Sequence, residues 1–491
     1  MRLAIYDLRF TIYALLCAGV IAGATPARGQ TAPKKAKEKT AAKPTAPKLP
    51  AKQPAAKAQE AAPARVAASS SQPRAIDLPT ALRLAGAQNL DVQIAREKLA
   101  EARASHAMAR EQFFPWLSPG FAYRRDDGQI QETTGRIFDV SRQSYSVGAT
   151  VAAQVDLGEA YFKELSTRQL AKAANQQLEA EQQQSTFAAA TDYFELAKAK
   201  ALVDVANEAL RISSDYETQL GQLVAVGRAF KGDVLRVRVQ SERNRLAVRQ
   251  AQQQQRIAAA RLSQTLHLDS TVELLPADAD LVPLTLVAVS RALDSLVAQA
   301  LSARPELRQS QFLVRAAEQE RRGVMYGPLV PTVGAQMYFG GLGGGFNDEF
   351  GNFGDSERYQ LLFGWRFGPG GLFDKPRLQA SAARLAGTRL QAEKLKDEIV
   401  RQVVEASIRV QSLADQMATA QRALAVAEEA LRLTRERKEF GVGVVLENIL
   451  AEQELTRVRT DYLTALAGYN QAQYALHRAV GTAPSTPPAK R

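Results

Sequence analysis

The chain has 491 residues, of which 46% are hydrophobic and only 7% aromatic, and its formal net charge is +12. The middle of the sequence is rich in Ala, Gln, Arg, Glu and Leu, which favours long helices over compact β-sandwiches. The charge does not indicate a nucleic-acid-binding fold, because ten basic and two acidic residues, a net of +8, fall in the stretch 31–75.

The N-terminus has the pattern of a secretory signal peptide, which we place at residues 1–29. Two arginines precede an apolar run from Phe10 to Ala24. This run is shorter than the ~20 residues that a membrane-spanning helix needs. The single cysteine, Cys17, lies within it. We therefore expect a mature chain with no disulfide and no thiolate metal site.

Residues 30–75 form a tract rich in Lys, Ala and Pro, without apolar periodicity. Such a tract cannot bury enough apolar surface to fold, so we predict a disordered spacer. We also predict that residues 482–491 are a disordered C-terminal tail. The folded part of the protein is expected between these two segments.

The folded part has the pattern of two copies of one unit of about 210 residues. The most informative pairs are found at offsets of 210 to 217: Leu90 and Leu307, Ser144-Tyr145 and Arg358-Tyr359, Val226-Gly227 and Phe440-Gly441, Asp233 and Glu447, and Leu266-His267 and Leu476-His477. Pairs in one order at a nearly constant offset predict a first repeat at 76–275, a linker at 276–289 and a second repeat at 290–481.

Each repeat contains two segments in which apolar residues alternate with small or polar ones. This period of two predicts strands at about 116–126 and 143–156, and at about 331–340 and 358–367. Strands with one apolar and one small-polar face are typical of a transmembrane barrel, whereas a soluble sheet packed on a core is the alternative. Four strands cannot close a barrel, and open edges are not tolerated in lipid, so several chains are required.

The segments that join the strands, 126–142 and 340–357, are predicted to be loops. The second is rich in glycine, but it lacks the Gly-Lys-Ser/Thr ending of a phosphate-binding loop. We interpret it as a flexible loop outside the cell.

Long stretches with few glycines and helical spacing follow the strands. They predict helical hairpins at about 159–267 and 379–480, each with a short break that contains glycine. Shorter helices, at 79–113 and 290–325, are expected before the strands.

The sequence offers no residues for catalysis. The three histidines are widely spaced, and neither a nucleophile elbow nor a Walker sequence is present. We therefore expect no enzyme activity, no cofactor, no metal site and no nucleic-acid partner.

Residues 76–481 resemble the TolC-like outer membrane efflux protein family. The resemblance depends on 77–82 with Asn89 and on the two hairpin tips, at 226–235 and 440–450. It implies a mixed α+β membrane protein, a homotrimer with a 12-stranded transmembrane β-barrel, four strands from each chain. A long α-helical barrel of coiled-coil hairpins would continue it through the periplasm.

The function that this resemblance implies is a passive exit duct in the outer membrane, for a tripartite efflux or type I secretion system. The duct would open at its periplasmic tip when a periplasmic adaptor and an inner-membrane pump of the RND or ABC type dock. Drugs, metals and polypeptides remain open as permeants. A secreted structural coiled-coil protein without a pore is the alternative function.

The resemblance also implies site residues at the two tips. The positions that match the adaptor contact are Val226, Gly227, Arg228, Phe440, Gly441 and Val442. Asp233 and Glu447 match the acidic residues that narrow the periplasmic aperture, whereas Leu450 occupies a position that is acidic in the family. Lys438 and Gly443 stand where some members have a Tyr and an Arg that latch the mouth. We hypothesise that a Lys438–Asp233 pair replaces this latch.

Overall fold

The computed structural model describes residues 74–269, 273–278, 280–346, 350–439 and 445–482. The predicted signal peptide, nearly all of the spacer and nearly all of the C-terminal tail lie outside these residues. The described part is mostly helical, with one antiparallel sheet of four strands and a parallel pair of short strands.

Eight helices are found in the described residues. Their bounds are α1 Leu78–Gln88, α2 Leu90–Glu111, α3 Leu157–Ala225, α4 Lys231–Thr265, α5 Leu293–Ala303, α6 Pro305–Tyr326, α7 Lys375–Glu439 and α8 Val445–Ala479. Six strands accompany them. Their bounds are β1 Arg74–Ile76, β2 Trp116–Gln131, β3 Ile137–Asp156, β4 Leu274–Pro276, β5 Thr332–Phe346 and β6 Gly354–Gly364.

The four long strands form one antiparallel sheet in the order β2-β3-β5-β6. Strands β2 and β3 are longer than predicted, because most of the expected loop at 126–142 pairs in register. Its two aspartates are satisfied: Asp126 accepts from Arg142 and Asp127 from Ser141 across the ribbon, and each also accepts from an arginine of its own strand, Arg124 or Arg125. The expectation of a loop at 126–142 was therefore wrong for all but 132–136.

The Gly-rich segment after residue 340 is also a strand, since β5 extends to Phe346. Glycines are needed here because aromatic rings lie flat on the sheet. A Cβ added at Gly343 would be 2.5 Å from the Tyr145 ring, and one at Gly341 would overlap the Phe353 ring. The Tyr145 and Phe353 rings stack with centroids 5.8 Å apart. The expected flexible loop is therefore wrong for 340–346 and for 354–357, which belong to β5 and β6, and residues 347–349 lie outside the described part.

Strand β6 begins and ends earlier than predicted, at 354–364 instead of 358–367. After it, the Trp365 indole donates to the Leu329 carbonyl. Glycines with positive φ at 368 and 370 then turn the chain toward α7.

Two long hairpins dominate the helical part. Helix α3 has 69 residues and α7 has 65, so each extends for about 100 Å at 1.5 Å per residue. The return helices, α4 and α8, have 35 residues each and pack along the distal half of their partners. The shorter helix α2 packs on α3, and α6 packs on both α3 and α7.

Each predicted short helix is divided in two, which corrects the expected bounds of 79–113 and 290–325. Asn89 ends α1 and caps α2, since its Oδ1 accepts from the Asp91 and Val92 N–H groups at 2.8 and 3.4 Å. Arg304 is extended, with φ −64° and ψ 126°. The cause is Pro305, because a proline disfavours helical geometry in the residue before it.

Two apolar cores lie where the short helices meet the hairpins. In the first repeat, buried residues of α1, α3 and α4 surround β1 and β4, and include Leu82, Leu196, Leu262 and Leu274. In the second repeat, α5, α7 and α8 contribute Leu296, Ile399, Val403 and Leu476. Each repeat thus has a core near the middle of its long helix, and Tyr474 of α8 also packs into the first one.

Candidate functional site

The first hairpin tip is a tight turn between α3 and α4. Gly227 has φ +73°, and the Arg228 N–H donates to the Leu223 carbonyl at 2.8 Å, which closes the end of α3. Open space surrounds a Cβ added at Gly227. Within this chain, therefore, the turn itself requires glycine here. Val226 and Phe230 project from the tip as exposed apolar side chains.

Asp233 lies in the first turn of α4, where a carboxylate is favourable because free N–H groups give the helix start a positive partial charge. Its Oδ1 is 3.3 Å from a guanidinium nitrogen of Arg236 on the same helix. The predicted aperture residue is therefore at the tip, paired with a cation one turn along.

The second tip is described only from Val445 onward. Phe440, Gly441, Val442 and Gly443 lie outside the described residues, as does the side chain of Lys438. Glu447 lies in the first turn of α8, 3.4 Å from Arg437 of α7. Leu450 is exposed, at 55%.

The two hairpins of one chain meet through an apolar contact near their tips, which we call the tip cluster. Its buried members are Tyr216, Leu220, Val237 and Ile449. Ile449 comes from the second repeat, whereas the other three come from the first. Beside the cluster, the Gln453 amide donates to Gln240 Oε1 at 2.7 Å. The cluster thus holds the second hairpin against the first.

Charge surrounds the tip cluster. Burial raises the pKa of Tyr216 to about 12, and the charges of Glu452 and Asp233 act in the same direction. Glu452 accepts from the Asn448 amide at 3.0 Å and lies 3.9 Å from Arg435. Asp233 is therefore close enough to the contact between the hairpins to influence it.

Sequence reasoning did not assign a role to the members of the tip cluster. Ile449 stands beside two predicted aperture positions, but its burial depends on the other hairpin. One signal was available, since Tyr216 and Leu220 are four residues apart and share a helix face. The residues that this face contacts are distant in sequence, so the spacing did not identify them.

The sheet has two chemically different faces. Its register aligns apolar residues on one side, the apolar face: Leu117, Phe121, Val147, Val151, Met337, Phe339, Leu361 and Phe363. The opposite side, the polar face, carries small and polar residues: Ser118, Gly120, Ser146, Gly148, Thr150, Gln336, Gly340 and Gln360. Most of the apolar side chains are exposed in the single chain. Strands β2 and β6 each have one unpaired edge.

None of the helices in the described ranges combines the length and the apolar composition that a membrane span requires. Within the same residues, no three His, Cys, Asp or Glu side chains are grouped as metal ligands.

The sequence matches the profile of the family described as outer membrane efflux protein, over residues 81–266 and 296–482. These two segments correspond to the two repeats and together cover more than half of the chain. A comparison with curated proteins gives no match.

Solved structures of outer membrane channels have a similar fold. The Campylobacter jejuni CmeC channel has a TM-score of 0.71 and 14% identity, over 82% of this chain and 85% of that one. The Vibrio cholerae outer membrane protein VceC has 0.68 and 16%, over 82% and 96%. The open state of the Neisseria gonorrhoeae MtrE channel has 0.66 and 17%, over 82% and 89%. At these identities, the likeness is one of fold.

Proposed function

We propose that this chain, which belongs to the outer membrane efflux protein family and is an outer-membrane protein, forms the passive exit duct of an export system. Three copies would close a barrel of twelve strands, and their hairpins would form a tunnel through the periplasm. The duct would serve a tripartite efflux or type I secretion system, with a drug, metal or polypeptide as permeant.

The observation that carries this proposal is the sheet with one apolar face, one polar face and two unpaired edges. Unpaired strand edges are not tolerated in lipid, so the edges of β2 and β6 must pair with other chains. Closing the ring turns the apolar face toward lipid and the polar face toward a water-filled lumen.

The helices supply the periplasmic part of the duct. Helix α3 follows β3 directly and α7 follows β6 after the turn at 365–374, and each helix is about 100 Å long by its residue count. We propose that the six hairpins of a trimer enclose the tunnel, and that the export signal of the chain is the segment 1–29.

The duct would open at the hairpin tips. Under this proposal, a periplasmic adaptor contacts 226–228 and 440–442, and an inner-membrane pump docks with it. Asp233 and Glu447 would face the aperture with Leu450. Opening requires the hairpin tips to move apart, so the tip cluster is the apolar contact near the tips, within one chain, that opposes it.

Two neighbouring positions on β6 test the barrel. Leu361 lies on the apolar face and Gln360 on the polar face. An arginine on the lipid side of a barrel costs roughly 2–4 kcal/mol near the middle of the bilayer, whereas a lumen position tolerates it. Leu361→Arg should therefore abolish assembly into heat-modifiable trimers in outer-membrane fractions. Gln360→Arg, the matched control, should retain assembly and conductance steps in planar bilayers.

A secreted coiled-coil protein without a pore would give a different pattern. It would be recovered in the soluble periplasmic fraction, and the two arginine variants would behave alike. Either result, or purified trimers without conductance steps, would refute the proposed channel.

A further inference from the structure

The charged residues of the four-stranded sheet are distributed unequally between its two faces. Because side chains alternate along each strand, the register assigns every one of them to a face. The polar face carries three arginines and two carboxylates: Arg124, Arg142, Arg358, Asp126 and Asp156. The electrostatic field inside a closed barrel depends on the positions of these five charges along the strands.

The end of the sheet next to the helices is electrically balanced. Asp156 lies in a cleft together with Glu159, Arg366 and Arg377. The Arg377 guanidinium is 2.6 Å from Glu159. Two carboxylates and two guanidinium groups leave no net charge at this end.

The far end of the sheet has an excess of positive charge. Asp126 accepts from Arg124 at 3.0 Å and from Arg142 at 3.1 Å. One carboxylate thus serves two guanidinium groups, and the trio has a net charge of +1.

Arg358 lies between these two ends. Its partners in register are Tyr338, Thr150 and Ser118, all of them uncharged. Among the described residues of the sheet, no carboxylate stands on the polar face between Asp156 and Asp126. With the trio at the far end, the polar face above the cleft carries a net charge of +2 per chain.

Carboxylates of the outer half of the sheet lie mainly on the other face. Asp355, Glu357 and Asp127 project from the apolar face, accompanied by Arg125, which pairs with Asp127. The sheet therefore separates the signs of charge, positive toward the polar face and negative away from it.

The hairpin tips do not reverse this sign. The two acidic aperture positions, Asp233 and Glu447, lie beside Arg236 and Arg437. Each carboxylate is therefore offset by a guanidinium group within 3.4 Å.

From these positions we propose that the barrel lumen favours anions, with Arg358 as a residue that determines selectivity. The inference depends on the proposed channel and narrows its permeants to molecules that carry carboxylate, phosphate or other negative groups. A narrow passage lined by one sign of charge concentrates the opposite sign. In a trimer, the three polar faces that line the lumen would carry six net positive charges.

The experiment measures the reversal potential of purified wild-type trimers in planar bilayers under a potassium chloride gradient. The expected ratio of chloride to potassium permeability is above one near 0.1 M salt, where the Debye length is about 10 Å. It should fall toward one near 1 M, where that length is about 3 Å. Phosphate added to either side should reduce the chloride current.

Arg358→Gln removes one of the two net positive charges per chain. It should remove roughly half of the selectivity, measured as the logarithm of the permeability ratio, because the field scales with the charge. Arg125→Gln is the matched control, since the same substitution then falls on the apolar face of the same sheet, and the ratio should not change.

Three outcomes separate the two proposals. Trimers without conductance steps refute the channel. Conductance with a permeability ratio at or below one leaves the channel intact and overturns the anion preference. An unchanged ratio in Arg358→Gln, with trimers assembled normally, removes Arg358 as the determinant of selectivity.

Discussion

The two repeats attach their short helices to their return helices through different side chains. In the first, the residue before α2 is Asn89, whose side-chain amide donates to the Thr265 carbonyl near the end of α4 at 2.9 Å. In the second, the residue before α6 is Arg304, whose Nε donates to the Ala479 carbonyl at the end of α8 at 3.0 Å. The short helices are thus fastened to the return helices at matching places.

The side chains of Asn89 and Arg304 differ in charge and in length. Asn89 is neutral and also caps its own helix. Arg304 is only 3% exposed, and its guanidinium extends to Gln402 of α7 at 2.9 Å. It shares one carboxylate, Glu306, with the partly buried Arg478. Burial lowers the pKa of both arginines. A longer side chain thus joins three helices, at the expense of burying a charge.

The linker between the repeats shows a second difference. The buried amides of Asn470 and Gln473 bind its backbone, with bonds of 2.8–3.1 Å to Val282, Leu284, Leu286 and Val287. The first-repeat positions at the offset of 210 that relates Leu266 to Leu476 are Ala260 and Ser263, and neither has an amide side chain. The comparison teaches that duplicated architecture does not require duplicated side chains, because each contact depends on its local partners.

The largest effect is expected from removing Arg304. Arg304→Ala leaves Glu306 and the Ala479 carbonyl with fewer partners in a buried site. Breaking a buried ion pair in this way costs roughly 3–5 kcal/mol. We expect a loss of this size in the free energy of unfolding, measured by urea denaturation of the detergent-solubilised protein.

Arg308→Ala is the control, because Arg308 is exposed one turn along α6 and surface changes fall within about 0.5 kcal/mol. Equal stability of the two variants would show that the bonds of Arg304 do not hold the short helices of the second repeat against α7 and α8.

An intermediate effect is expected at the tips, where the second repeat inserts a side chain into the first. Ile449→Ala removes the central member of the tip cluster, and burial losses of this kind cost about 2 kcal/mol or more. If half of this free energy, about 1 kcal/mol, opposes opening, the ratio of open to closed time should rise about fivefold or more in bilayer recordings, since 1.4 kcal/mol corresponds to a factor of ten.

Leu246→Ala serves as the control for the tip, because Leu246 of α4 is exposed. The same recordings on Lys438→Ala test the hypothetical Lys438–Asp233 pair, which predicts a longer open time. Unchanged gating in Ile449→Ala would show that contacts outside the tip cluster keep the channel closed. Unchanged gating in Lys438→Ala would refute the hypothetical Lys438–Asp233 pair.

The smallest effect is expected at Asn89. Asn89→Ala loses a helix cap and one hydrogen bond, together about 1–2 kcal/mol. Asn89→Ser retains a capping oxygen and loses only the bond to Thr265, so its cost should be smaller. A loss in Asn89→Ala as large as that in Arg304→Ala would contradict the contrast between the repeats.

Much of the fold was predictable, because its signals are local. The alternation at 145–151 predicted both a strand and its face, and the register confirmed that face. The limits of the strands were less predictable. A loop was expected from Asp126 onward, but bonds from Arg142 and Ser141 of the next strand make Asp126 and Asp127 compatible with a ribbon. Glycines suggested flexibility, but aromatic rings from other segments cover them.

The candidate site was only partly predictable for the same reason. Gly227 and Asp233 were placed at a tip by their spacing, and the structure has them there. The charged partners of Asp233 and Glu447 did not follow from the family resemblance, and our own hypothesis paired Asp233 with Lys438. Arg236 lies one turn from Asp233 on the same helix, whereas Arg437 and Glu447 lie on different helices that the folded hairpin brings together.

The sequence by itself determined the duplication, the two-faced strands, the long hairpins and the family. Each of these depends on periodicity along the chain, which is set by 3.6 residues per helical turn and two per strand repeat. The tertiary structure decided which charges are paired, which apolar residues join the hairpins, and which face of the sheet carries the uncompensated arginines. Several of these contacts join residues more than 200 positions apart, such as Tyr216 and Ile449, and only the folded register of strands and helices brings them together.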